Sequence, residues 1–200
     1  EAGMHQLNAA SRAMRLSLVC LVLALFGLPQ TAAGQCVDMT GCTLVFEDEF
    51  NGTEVDLANW TLLTGDGTDF GLPAGWGNNE LQWYQPENAT VAGGFLTITA
   101  KEEAVSGYNY TSARMITANK ADFTYGRMEM SAKLPITQGM WPAYWMFFTG
   151  PGEYGGWAAS GEIDIMEYIG SEPDKVFGTI HYGQPFPGNV FTGNDYFLPS

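Results

Sequence analysis

The segment GEIDIMEYIG, residues 161–170, sets three carboxylates, Glu162, Asp164 and Glu167, among Ile163, Ile165, Met166, Tyr168 and Ile169. A short apolar run rich in β-branched residues and bounded by glycines reads as a strand. On a regular strand, residues two apart share a face. Glu162 and Asp164 therefore point together, and Glu167, three residues on, would point the other way into the core. An ionised carboxylate buried without a partner costs several kcal/mol, roughly. A β-bulge removes the conflict: one extra residue around Ile165 or Met166 returns Glu167 to the face of Glu162 and Asp164.

With the bulge, four effective strand steps of about 3.3 Å separate the outer α-carbons by about 13 Å. Two glutamates leaning inward bring their carboxyl groups to about 5–6 Å, near the separation of a retaining glycosidase pair rather than the wider spacing of an inverting one. Asp164, between them, is placed to hydrogen-bond one and hold their pKa values apart, so that one glutamate is ionised and the other protonated. Spacing alone also allows a solvated polar face or a calcium site, although these acids do not match an EF-hand loop.

Strand-like runs recur on both sides of this segment: 44–50, 93–103, 112–117, 125–135, 143–148 and 176–183, bounded by Gly, Pro and Asn. In 125–135 polar Arg127, Glu129, Ser131 and Lys133 alternate with apolar Met128, Met130, Ala132 and Leu134, the pattern of a half-buried antiparallel strand. No helix longer than two turns is indicated after residue 35. The fold class is all-β, an antiparallel sandwich or barrel. Residues 64–79 and 149–160 are long Gly-rich loops, and such loops in a compact β domain are often functional. No closing strand is evident before Ser200, which suggests a domain incomplete at its C-terminus.

The formal net charge of the 200 residues is -14, from 22 acids against 8 Lys and Arg. Nucleic acid and anionic membrane surfaces are disfavoured as partners, and a neutral one fits. Arg15, the apolar run 16–28 and the small residues of Thr31-Ala-Ala-Gly34 read as a secretory signal cleaved before Gln35. Residues 1–34 are thus set aside as leader, leaving 35–200 as one domain, secreted and extracellular. Losing Glu1, Arg12 and Arg15 takes the charge from -14 to -15. Cys36 and Cys42 then remain and are expected to close a short disulfide loop. Sequons at Asn51, Asn59, Asn88 and Asn109 point to a glycoprotein.

Trp141 and Trp145 lie four apart in GMWPAYWM, on one face of an extended segment, where flat indoles suit either stacking on pyranose rings or core packing. Trp157, just before the acidic strand, is poised between the same two roles. Arg114 alternates with apolar Ala113 and Met115 and by itself reads as a surface ion pair. His181 in GTIHYG is the one histidine of 35–200, by itself more commonly structural. GPGEYGG lacks a phosphate-loop lysine, so no nucleotide site is indicated.

GEIDIMEYIG resembles the signature of glycoside hydrolase family 16 in its Glu-x-Asp-x-x-Glu form. GWGNNELQWYQPEN (75–88), YTSARMIT (110–117), YGRMEMSAKLP (125–135), GMWPAYWMF (139–147) and GTIHYG (178–183) agree in order and spacing, most of all with the laminarinase-like endo-β-1,3-glucanases. The resemblance implies a β-jelly-roll, concanavalin A-like, with a glycan cleft on its concave sheet. It implies Glu162 as nucleophile, Asp164 as assisting acid and Glu167 as general acid/base. It places Asn78 and Arg114 among the residues bonding sugar hydroxyls on the nucleophile side, and His181 near the leaving-group side. It favours the cleft for at least one of Trp141 and Trp145. Ala158 stands where the family often has Pro, and Glu80 reads as structural. A monomer acting on neutral β-glucan is expected, with no cofactor and no catalytic metal. A structural calcium is compatible with the fold, its ligands unassigned. Agarase- or carrageenase-like substrates, a transglycosylase and a non-catalytic β-glucan recognition protein are the alternatives. A chain this acidic disfavours sulfated glycans, and retention of all three acids disfavours recognition alone.

Overall fold

A computed structural model describes residues 9–11, 14–17 and 41–198. In chain order its strands are β1 (Ala9–Ser11), β2 (Met14–Ser17), β3 (Leu44–Asp48), β4 (Thr61–Leu63), β5 (Gln82–Tyr84), β6 (Ala89–Ala92), β7 (Phe95–Ile98), β8 (Lys101–Val105), β9 (Tyr108–Ser112), β10 (Arg114–Ile116), β11 (Arg127–Met128), β12 (Ala143–Phe147), β13 (Glu162–Glu167), β14 (Lys175–Gly183) and β15 (Asn189–Phe197). The helical elements among the described residues are short 3-10 turns at Thr68–Phe70 and Pro86–Asn88. None is long and apolar enough to cross a membrane. The chain is all-β, and every strand pair is antiparallel except β5 with β9.

The largest sheet runs β12-β13-β14-β15 and carries the acidic segment in its second strand. Behind it lies a core of Phe50, Val55, Trp60 and Val91, joined by Phe46, Leu62, Leu96, Met115, Met130 and Tyr144. Tyr144 reaches this core from β12 and Met115 from β10. Their neighbours Trp145 and Arg114 alternate to the other face, as the period of two requires. Asp48 pins the core's edge, accepting from the Trp60 Nε1–H and the Phe50 N–H, both at 2.8 Å.

Several expectations change. Residues 125–135 form a strand at Arg127–Met128 and a single bridge at Ala132 among the described residues. Met130 still packs on the core, so the alternation reported burial correctly, but a strand also needs a neighbour to bond. β15, nine residues long, pairs with β14 from Lys175↔Phe197 to Gly183↔Asn189, although no strand was expected there. Of the segment set aside as leader, Ala9–Ser11 pairs with β7, while Met14–Ser17 lies between β3 and β11. Open strand edges accept any extended segment that satisfies their amide and carbonyl groups. The rest of that leader, and Cys36, lie outside the described residues, while Cys42 is disulfide-bonded.

The four sequons part company. Asn51 and Asn109 are exposed, and Asn59 is half-buried with its amide donating to Asp56. Asn88 is fully buried. Its Nδ2 donates to the Thr99 carbonyl at 2.6 Å and the Thr111 hydroxyl at 2.9 Å, and its Oδ1 accepts from Gln85 at 2.8 Å. A sugar on that nitrogen has no room in the folded chain, so the glycosylation expected at Asn88 is corrected.

Candidate active site

The bulge lies at Ile165. On one side Trp145 pairs with Asp164 and Tyr144 with Met166. On the other, Thr179 pairs with Asp164 and Phe177 with Glu167, so three steps on β13 oppose two on β14. Glu162, Asp164 and Glu167 consequently share the face of Ala143, Trp145 and Phe147 on β12, and of Phe177, Thr179 and His181 on β14.

Each acid meets a ring nitrogen of its own. The Trp157 Nε1–H donates to Glu162 Oε2 at 2.7 Å, and the Trp141 Nε1–H donates to Glu167 Oε1 at 3.0 Å. His181 Nε2 lies 3.2 Å from Asp164 Oδ2, an ion-pair distance without the alignment of a hydrogen bond, and that oxygen has no other partner. The Trp157 ring packs beside His181, centroids 5.5 Å apart, so loop 149–160 orders both the Glu162 donor and the Asp164 neighbour. Indoles here act through their N–H groups as well as their faces.

The three carboxylates are not electrostatically equivalent. Asp164 is 5% exposed, and burial, followed by the charges of Glu162 and Glu167, pushes its pKa up to about 7, with His181 opposing. Burial also raises Glu162. The Trp157 bond opposes that rise, Glu167 adds to it, and a bond from Asp164 and the Arg114 charge lower it. Burial and the two glutamates favour the protonated form of Asp164, and a hydrogen bond from that form favours the ionised form of Glu162. The arrangement gathers three carboxyl groups in unlike environments on one face.

Arg114 stands at the β12 side. Its guanidinium carbon lies 4.4 Å from the Trp76 ring centroid and 4.8 Å from that of Trp145, within cation–π range of both. Its Nη1 is 3.8 Å from Glu80 Oε1, and its buried Nε has no partner. Glu80 also accepts from Gln82 at 2.8 Å, from the Tyr84 hydroxyl at 2.7 Å and from Asn78 at 3.3 Å. Glu80 thus orients Arg114, and Asn78 joins the site through Glu80 rather than through the acids. Trp76, 5% exposed, was not anticipated. Its φ of 56° and the hydrogen bond from its Nε1–H to the Gly65 carbonyl arise from the folding of loop 64–79 on itself. The neighbouring GWGNNE run was the available signal.

Of the buried side-chain polar atoms lacking a partner among the described residues, Arg114 Nε, Asp164 Oδ2 and His181 Nδ1 belong to this site. Most buried polar atoms are hydrogen-bonded, so unpartnered ones gathered in one place call for a specific cause, a catalytic role among them. Glu162, Asp164 and His181 also bring possible metal-ligand atoms within 4.8 Å of one another. Two carboxylates and an imidazole differ from the oxygen-only shell of calcium.

The family profile described as "Beta-glucan synthesis-associated protein SKN1/KRE6/Sbg1" matches residues 9–163. A Niallia circulans protein named glucan endo-1,3-beta-glucosidase A1 is 42% identical over 172 residues, covering 80% of this chain and 25% of that protein. A Rhodothermus marinus beta-glucanase is 42% identical over 160 residues, covering 72% of this chain and 54% of the relative. The solved catalytic domain of an endo-1,3-beta-glucanase (laminarinase) from Thermotoga petrophila superposes with a TM-score of 0.71 at 43% identity, covering 78% of this chain and 63% of that one. The chain thus spans between a quarter and two thirds of the length of these relatives. With its bulged acidic strand, its all-β architecture and these matches, the chain belongs to glycoside hydrolase family 16, alongside the laminarinases.

Proposed function

We propose that the chain is the core of a secreted, retaining endo-hydrolase of β-1,3-glucan. The observation that carries this reading is the Ile165 bulge, which gathers Glu162, Asp164 and Glu167 on one face. Glu162 attacks the anomeric carbon while Glu167 protonates the departing glycosidic oxygen. The C–O bond to the leaving sugar breaks as the bond to Glu162 forms. Water, deprotonated by Glu167, then hydrolyses the glycosyl-enzyme and restores both glutamates. Asp164 gives its hydrogen bond to Glu162 and keeps the repulsion between the outer acids in check. No cofactor enters this chemistry. The net charge of -14 suits an uncharged polysaccharide. The exposed sequons Asn51 and Asn109 support an extracellular setting.

A second reading, transfer of the glycosyl group to another sugar rather than to water, is favoured by the synthesis-associated description of the matching profile. Both readings use the same covalent intermediate. The deciding experiment measures reducing ends and products from laminarin, mixed-linkage glucan and agarose for wild type and Glu162→Gln. Laminarin cleavage lost in the variant supports hydrolysis. Products longer than the starting oligosaccharide support transfer. Folded protein that binds laminarin but changes no glycan overturns both.

A further inference from the structure

Glu162, Asp164 and His181 form a cluster of mixed oxygen and nitrogen donors. Asp164 is 5% exposed, and among the described residues its buried Oδ2 has no hydrogen-bond partner. That oxygen lies 3.2 Å from His181 Nε2, an approach that is not a hydrogen bond. A buried polar atom of this kind calls for a specific cause, and the distance indicates one. Two atoms bound to a tetrahedral zinc ion at about 2.0–2.2 Å stand about 3.3–3.6 Å apart. A water bonded to both at about 2.8 Å would need them near 4.5 Å apart at the tetrahedral angle. The observed spacing fits the ion and is too short for the water. Glu162 supplies the third vertex: one possible ligand atom from each of the three residues lies within 4.8 Å of the others. Closing that to a tetrahedral edge takes about 1.5 Å at most, which a turn of the Glu162 side chain provides.

The sheet holds these donors in place. His181 on β14 is the cross-strand partner of Glu162 on β13, and Asp164 is two residues along on the same face. The Trp157 Nε1–H fixes one Glu162 oxygen at 2.7 Å, as outer partners fix metal-binding carboxylates. The Trp157 and Phe191 rings flank His181, centroids 5.5 Å and 5.8 Å away. His181 Nδ1 has no partner among the described residues, so the imidazole is free to present its Nε2 lone pair. The His181 side chain is 21% exposed, which leaves an entry path from the acid-bearing face. Two carboxylates with one imidazole suit zinc, whereas magnesium and calcium take oxygen shells. Three protein ligands leave a fourth position for water. We propose that Glu162, Asp164 and His181 form an inhibitory binding site for Zn2+. The ion engages Glu162, the residue read as nucleophile, so ion and glucan exclude one another. Binding stands on the three residues alone, and the inhibition rests on the glucanase reading.

The test titrates chelator-stripped wild type with Zn2+ by calorimetry, beside His181→Asn, Glu162→Gln and Glu167→Gln. Glu167 shares the face but lies outside the cluster, so its variant removes a charge and no ligand. One ion per chain is expected in wild type. Affinity should fall at least about tenfold in His181→Asn and in Glu162→Gln, since even the outer partners of a metal are worth that much. It should fall much less in Glu167→Gln. Circular dichroism checks that each variant is folded, and if His181→Asn is not, the two glutamate variants decide. Equal weakening in both glutamate variants, or equal binding of Mg2+, would reduce the effect to counter-ions around an acidic chain and overturn the site, as would no binding. Laminarin cleavage by wild type with Zn2+, and again after EDTA, reads the inhibition. Reversible inhibition at the Zn2+ concentration that half-saturates the site, relieved by more laminarin, supports the proposal. Binding without inhibition places the ion away from Glu162 and overturns it. If metal-free wild type releases nothing from laminarin, the glucanase reading fails on its own account, and the calorimetric comparison alone decides the metal site.

Discussion

Asp164→Asn should stabilise the protein, and increasingly so as the pH rises. Burial and the neighbouring glutamates raise the Asp164 pKa from 3.8 to about 7. Between those values the folded state holds a proton that the unfolded state has lost, so wild-type stability falls with rising pH across this window and levels off above it. At about 1.4 kcal/mol per pH unit the full penalty is about 4 kcal/mol. Asparagine is near-isosteric, is never ionised and can still donate to Glu162, but it forfeits the charge contact with His181. A net gain of about 2–3 kcal/mol at pH 8, shrinking towards zero near pH 4, is therefore expected. Urea unfolding followed by tryptophan fluorescence at pH 4, 6 and 8 measures it. Catalysis should fall in the same variant, since an amide N–H is a weaker donor to Glu162 than a carboxyl O–H and stabilises its ionised form less. A stability difference that is constant across this range, or that closes as the pH rises, refutes the reasoning.

Trp157→Phe keeps a ring beside His181 but removes the N–H that lowers the Glu162 pKa. The acid limb of its kcat/KM profile should move to higher pH, with activity lost first at the acid end of the range; an unmoved limb would assign the indole to packing alone. Asn88→Ala leaves Thr99, Thr111 and Gln85 short of a buried partner and should cost about 2–3 kcal/mol in thermal unfolding. Peptide mass spectrometry of wild type secreted from a eukaryotic host should find no glycan on Asn88.

The acidic strand was legible because side-chain parity is a strict local rule. Three acids at gaps of two and three, in a segment otherwise apolar, admit few arrangements, and the bulge at Ile165 is the one found. Alternation alone marked Arg114 as a surface ion pair, and its place beside the acids came from the family resemblance. Trp76 was not, because its role depends on loop 64–79 returning to lie under Arg114, a contact that leaves no periodic trace. Glu80 was read as structural, and its bonds to Gln82, Tyr84 and Arg114 show that a supporting acid can be part of the site. β15 escaped because Gly193, Asn194 and Asp195 are poor strand formers, and their extended form is imposed by pairing with β14. Asn88 shows the converse failure. A sequon is a three-residue pattern, and whether its asparagine faces solvent is decided by residues ten or more positions away.

The unpaired residue at Ile165 also changes how this strand can vary in length. Deleting one residue from a regular strand turns every later side chain over to the opposite face and so exchanges core for solvent. At Ile165 the deletion would remove the residue that neither neighbouring strand pairs with. Glu162, Asp164 and Glu167 would then stand at strict alternation, still on one face, with the outer acids drawn closer together. Outside Ile165 and Met166 the spacing of the acids in β13 cannot change by one residue without turning an acid to the other face. At the bulge it can, and the reach between Glu162 and Glu167 becomes adjustable while the core behind the sheet keeps its packing.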